Sequence, residues 1–193
     1  MTNISTIAVF CGSKPGQDPK HMDTARDLGR ELADRGIELI YGGGRVGLMG
    51  AVADAVQEAG GAVTGIIPDF LMQREVGNTK VDKLEITDSM HTRKRRMFDL
   101  SDAFITLSGG LGTLDETIEI LTWKQLRLHD KPIVVISIDG YWDFLKTTTA
   151  HFTDAGFAYA SDANLFTVVD SVEAAFKALD AAPPATLTRS GRL

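Results

Sequence analysis

Apolar residues along this chain fall into short, nearly continuous runs separated by longer stretches with helical periodicity. The runs "TIAVFCG" (6–12), "IELIYGG" (37–43), "AVTGIIP" (62–68), "LEITDS" (84–89), "AFITLSG" (103–109), "PIVVISI" (132–138) and "LFTVV" (165–169) predict strands. Several are apolar at successive positions, as in strands covered on both faces of a parallel sheet. Amphipathic spacing between them predicts helices near 20–35, 47–59, 90–101, 113–128, 142–155 and 171–181. This alternation indicates βαβ units and a doubly wound, Rossmann-like α/β fold, a mostly parallel sheet with helices on both faces. Residues 1–182 read as a single domain, and "PPATLTRSGRL" (183–193) as a flexible tail.

Ligands in such folds bind beyond the carboxyl ends of the strands. Four strand ends therefore matter: "FCGSKPG", with Ser13 and Lys14; "YGGGRVGLMG", with Gly43 and Gly44; "PDFLMQREVG"; and "LSGGLGT". Residues 42–47, "GGGRVG", satisfy the dinucleotide pattern G-x-G-x-x-G, and Asp69 follows the next strand. The match is weak, because it falls in the second βα unit and leaves no chain for a substrate domain. Without a G-K-[ST] ending it is no P-loop either. A tight strand-to-helix turn explains the same glycines.

The loop of Ser108, Gly109, Gly110, Leu111, Gly112 and Thr113 repeats the device at another strand end. Glycines let backbone N–H groups approach an anion, and the helix start adds a favourable dipole. Two such loops at one crevice suggest a phosphorylated ligand. The following "TLDE", Thr113, Leu114, Asp115 and Glu116, reads as a capping box, with Thr113 capping and Glu116 reaching back. It also reads as a site: a carboxylate one turn into a phosphate-binding helix reaches ribose hydroxyls, with Glu119 in support.

"MHTRKRRM" (90–97) is the densest positive charge in the chain. Helical spacing puts Arg93 on the face of Met90 and Met97, while Arg95 and Arg96 project elsewhere. An inward arginine needs an anion, either a phosphate or a carboxylate such as Glu116.

Composition narrows the classes. A net charge of −6 argues against general nucleic-acid binding. The single Cys11 excludes a disulfide framework and suits a reducing cytoplasm. The N-terminus lacks a signal-peptide pattern, and no apolar run reaches membrane-span length. His21, His91, His129 and His151 show no metal spacing, and no G-x-S-x-G elbow occurs.

Together "VFCGS", "GGGRVGLMG", "REVG", "MHTRKRRM", "GGLGTLDE" and "TWKQL" resemble the LONELY GUY (LOG) family over nearly the whole chain. The resemblance implies a phosphoribohydrolase acting on cytokinin riboside 5′-monophosphates and AMP. It would release free base and ribose 5-phosphate without metal or organic cofactor. It implies Arg93 and Glu116 as the catalytic pair. Gly110, Gly112 and Thr113 would form the phosphate loop, with Glu75, Lys94 and Thr122 also lining the site, and the protein would be a homodimer with its site near the subunit interface. Two positions depart from the family pattern P-G-G-x-G-T-x-x-E and C-G-S-S: Ser108 replaces proline, and Lys14 replaces the second serine. Relatives are sometimes labelled lysine decarboxylases, but no lysine here stands in a recognisable pyridoxal phosphate setting. Two alternatives remain: a broad nucleoside 5′-monophosphate nucleosidase, or a non-catalytic nucleotide-binding protein.

Overall fold

The computed structural model describes residues 4–72 and 77–186. Seven strands, β1 (Thr6–Phe10), β2 (Glu38–Tyr41), β3 (Val63–Pro68), β4 (Lys83–Thr87), β5 (Ala103–Thr106), β6 (Ile133–Ile136) and β7 (Thr167–Val169), form one sheet. Their order is β4-β3-β2-β1-β5-β6-β7, and every pairing is parallel. The helices are α1 (Pro19–Asp34), α2 (Gly47–Glu58), α3 (Met90–Leu100), α4 (Leu111–Gln125), α5 (Phe144–Asp154) and α6 (Val172–Ala181).

Strand parity sorts the core into two layers, since successive side chains point to opposite faces. Ile7, Val9, Leu39, Tyr41 and Ile105 pack with Leu28, Val52 and Phe176 from α1, α2 and α6. Ala8, Phe10, Ile40 and Phe104 pack with Met97, Phe98, Ile120 and Leu121 from α3 and α4. On the same side Val135 meets Trp142 and Leu145 beside α5. Side-chain caps start several helices: Asp18 accepts from the Lys20 amide, Ser89 from Thr92 and Ser171 from Ala174.

The chain runs outward from β1 in one direction through β2, β3 and β4, and in the other through β5, β6 and β7. The order therefore reverses between β1 and β5, which is where open α/β sheets leave a crevice. Strands β1, β2 and β5 stop two or three residues short of their apolar runs. Of the leftover residues, Cys11 and Gly12 after β1 and Ser108 and Gly109 after β5 form the floor of that crevice.

Candidate functional site

A cavity of about 810 Å³ opens at the β1/β5 reversal. Its walls are the loop 11–18, the loop 108–110 with the first turn of α4, Leu48 and Met49 of α2, and Met90 and Arg93 of α3. Glu116, Leu71, His21 and Tyr141 complete it.

The β5–α4 loop is held from behind. The Leu107 carbonyl accepts from the Trp142 indole N–H (3.1 Å), Ser108 from the Gly12 amide (2.9 Å) and Gly109 from the Tyr141 hydroxyl (2.6 Å). Gly110 accepts from the Leu114 amide (3.0 Å). Four consecutive carbonyls are thus engaged, while the amides of Leu111, Gly112 and Thr113, in the first turn of α4, have no intrahelical acceptor. Orphan donors and the positive end of the helix dipole together suit a phosphate.

The capping-box expectation for "TLDE" is overturned. α4 begins at Leu111 with Gly110 as its N-cap and no side-chain cap, so Thr113 lies inside the first turn. Its side chain packs on Gly109 instead: a Cβ there would meet Thr113 Oγ1 at 2.1 Å. The Thr117 hydroxyl donates to the Thr113 carbonyl (2.7 Å), so the Thr106 hydroxyl, 3.0 Å away, donates to Thr117 and ties α4 to β5. Glu116, released from capping, turns its carboxylate into the cavity.

Glu116 Oε1 lies 3.7 Å from an Arg93 terminal nitrogen, with side-chain exposures of 9% and 6%, so water screens this pair little. Arg93 also directs its other terminal nitrogen to the Met90 sulfur at 3.8 Å. Arg95 and Arg96 do face outward, paired with Asp99 and Glu85.

The glycines of the second loop, Gly42, Gly43, Gly44 and Gly47, are not among the residues that line the cavity. A Cβ on Gly42 would come within 1.9 Å of an Arg93 nitrogen, so this glycine makes room for the guanidinium. Gly43 has φ +74° and no space beside Ile67, its carbonyl accepts from the Asn78 amide (2.8 Å), and Gly44 bridges to Gly77. Gly47 (φ +62°) packs against the Ser13–Lys14 backbone, and the Leu48 amide donates to the Gly12 carbonyl (3.0 Å). Gly42, Gly43 and Gly47 therefore serve packing, with protein atoms beside each, and Gly44 serves the bridge to Gly77.

Ser13, Lys14, Arg93, Gly109, Gly110, Leu111, Gly112, Thr113 and Glu116 do meet at the cavity. Leu114 packs instead beside Val135 and Trp142. Asp115 and Thr122 lie on the outer face of α4, where the Thr122 hydroxyl donates to Ile118 (2.8 Å). Lys94 spans to Asp115 (3.0 Å) and Glu119 (3.2 Å). Burial disfavours its charge, but those two carboxylates outweigh it and hold its pKa above the ordinary value. None of these four lines the cavity of this chain. Glu75 lies outside the described residues. Sequence reasoning missed Gly12, His21 and Tyr141, because their contribution is to hold the loop, which carries no motif of its own.

The family model described as "possible lysine decarboxylase" matches residues 49–179. The chain is 43% identical over 184 residues, 95% of its length and 80% of the other's, to cytokinin riboside 5′-monophosphate phosphoribohydrolase LOG5 of Arabidopsis thaliana. It is 46% identical to LOG7 of the same plant, covering 81% of this chain and 72% of that one. To the probable phosphoribohydrolase LOGL9 of Oryza sativa subsp. japonica it is 45% identical, covering 83% and 70%. Among solved structures, the Moco carrier protein of Chlamydomonas reinhardtii superposes with a TM-score of 0.68 at 24% identity over 91% of this chain and 94% of that one. The molybdenum cofactor binding protein of Rippkaea orientalis gives 0.68 at 22%, covering 93% and 98%. At those identities the likeness is one of fold. The match over 49–179 and the identity to the plant enzymes show that the chain belongs to the LOG family.

Proposed function

We propose that the protein hydrolyses the N-glycosidic bond of cytokinin riboside 5′-monophosphates, and of AMP, releasing free base and ribose 5-phosphate. The carrying observation is a shielded Glu116 carboxylate facing the cavity five residues after the phosphate-ready start of α4. At 1.5 Å per residue this is roughly 7.5 Å along the helix, about the span from a 5′-phosphate to the ribose. The amides of Leu111, Gly112 and Thr113 take the phosphate, and Lys14 and Ser13 face it from the β1 loop. As the ribosyl C–N bond breaks, positive charge develops on the sugar, and Glu116 stabilises it and orients the attacking water. Arg93 fixes the Glu116 carboxylate and adds a cation beside the departing base. Phosphate binding holds the bond in place, so the dephosphorylated nucleoside is a poor substrate.

In the same reading the protein is a cytoplasmic homodimer. Leu111, Ile118 and Leu126 are 85%, 44% and 63% exposed and follow one line along α4 with Asp115 and Thr122. Apolar side chains at this helical spacing suit a self-complementary contact between two copies. Thr122, within that line, and Lys94, paired to Asp115 beside it, would then approach the partner's cavity rather than their own.

Incubation with AMP and with an N6-prenylated AMP, without added metal, tests the reaction through chromatography of free base and ribose 5-phosphate. Release by wild type and its loss in Glu116→Gln are expected. Comparison across adenine, guanine, cytosine and uracil nucleotides separates an adenine-selective enzyme from a broad nucleosidase. Nucleotide binding with no release from any of them would overturn the enzymatic reading in favour of a binding protein.

A further inference from the structure

The Ser108 hydroxyl lies 2.9 Å from His21 Nδ1, joining the phosphate loop to the first turn of α1. Ser108 is nearly closed to solvent at 7% exposure, and its backbone carbonyl is already taken by Gly12 from β1's loop. The residue is therefore gripped twice, by backbone from one side and by side chain from another. His21 is held as firmly. Pro19 and the Asp18 cap fix the start of α1, the Tyr141 ring meets the imidazole edge-on at 5.5 Å, and Gly16 closes over it. With φ at +79°, Gly16 places its Cα where an added Cβ would lie 3.0 Å from His21 Cδ2. Tyr141 in turn donates to the Gly109 carbonyl, so His21, Tyr141 and the loop form one connected set.

We propose that His21 is a positioning residue for the 5′-phosphate, acting through Ser108 as a brace that replaces the stiffness of a proline at 108. A proline fixes its own φ and needs no side-chain partner, whereas a serine leaves the strand exit free to turn. The bond to His21 restores the constraint and keeps the amides after Gly110 aimed into the cavity. The inference rests on the reading of the loop as the phosphate site.

The test uses His21→Phe, Ser108→Ala, the double variant carrying both, and His21→Phe with Ser108→Pro. Each is assayed for AMP hydrolysis and, independently of turnover, for calorimetric binding of ribose 5-phosphate. His21→Phe and Ser108→Ala each raise KM and the ribose 5-phosphate Kd on the order of 3- to 10-fold, with kcat changed about 2-fold or less. The double variant is no worse than either single one, because both remove the same bond. Ser108→Pro returns affinity to His21→Phe. Unchanged KM and Kd, a loss in kcat alone, or additive losses in the double variant would overturn the brace. A wild type that binds ribose 5-phosphate in a His21-dependent way yet releases no base upholds the brace and overturns only the hydrolase reading. A wild type that binds no ribose 5-phosphate and releases no base overturns both.

Discussion

Arg93 and Glu116 meet 3.7 Å apart although they rise from different helices, α3 and α4, on the same face of the sheet. Their proximity is set by two glycines and three threonines rather than by any direct feature of either helix. Gly42 clears the space for the guanidinium, Gly109 receives the Thr113 side chain, and Thr117 ties α4 down to Thr106. With the charge pair held in advance, the transition state meets fixed charges that need not reorganise. Glu116→Gln keeps the shape and removes the charge, so kcat falls by about 10²- to 10⁴-fold while KM stays within a few-fold. Steady-state kinetics on AMP checks this; an unchanged kcat would remove Glu116 from the chemistry.

Gly42→Ala tests the placement of Arg93 without replacing a charged residue. The added Cβ would stand 1.9 Å from an Arg93 nitrogen and 3.1 Å from the Met49 sulfur. The guanidinium is at the flexible end of its side chain, so it moves while the backbone holds. A displacement of about 1 Å in a catalytic group costs about 10²-fold in rate. Activity should fall by that order with an unaltered circular dichroism spectrum, whereas wild-type turnover would show that Arg93 tolerates repositioning.

Period and turn chemistry made the architecture legible. Continuous apolar runs such as "IVVI" in β6 have one reading in a parallel sheet, and the 3.6 periodicity of "MHTRKRRM" put Arg93 inward and Arg95 and Arg96 outward. Local motifs were less reliable. "TLDE" has the composition of a capping box, but Gly110 already supplies an extended N-cap and α4 starts two residues before Thr113. "GGGRVG" has the fingerprint spacing, yet Gly42, Gly43 and Gly47 are required by the approach of Arg93, Ile67 and the Ser13–Lys14 backbone. Such demands come from distant parts of the chain, and so do the contacts of His21 and Tyr141 with Ser108 and Gly109. A sequence pattern records them only as isolated residues.

The exposed line on α4 gives a prediction about assembly. Ile118 and Leu126 lie outside the cavity, so a charge at either position leaves the nucleotide site of one chain intact while opposing an apolar contact with its own copy in a symmetric pair. Ile118→Asp with Leu126→Asp should convert a dimer to a monomer in light scattering coupled to size exclusion. If Lys94 and Thr122 serve the partner's cavity, KM for AMP rises with that dissociation. A species of unchanged mass would place any dimer contact on another face.

His129 sets a pH dependence of stability that is separate from catalysis. Its ring packs against Phe98 (5.0 Å) and Phe104 (5.8 Å), its Nε2 lies 2.9 Å from the Ile120 carbonyl, and its Nδ1 accepts from the Lys131 amide at 3.2 Å. One nitrogen donates and the other accepts, which is the neutral imidazole. Burial, with the charges of Lys124 and Lys131 adding to it, lowers its pKa from 6.5 to about 4, against the weaker pull of the Ile120 carbonyl and Asp130. Between these values the unfolded chain binds a proton that the folded chain does not, so stability falls as pH drops through that window. The loss approaches about 3 kcal/mol once pH reaches the folded pKa. Glutamine at 129 keeps a donor and an acceptor but does not titrate. Urea unfolding of wild type and His129→Gln at intervals from pH 7 to pH 4 isolates the effect, because the carboxylates common to both cancel in the difference. The wild type should lose more stability than the variant across that range, and parallel curves would mean that His129 takes up its proton as readily in the fold as in the unfolded chain.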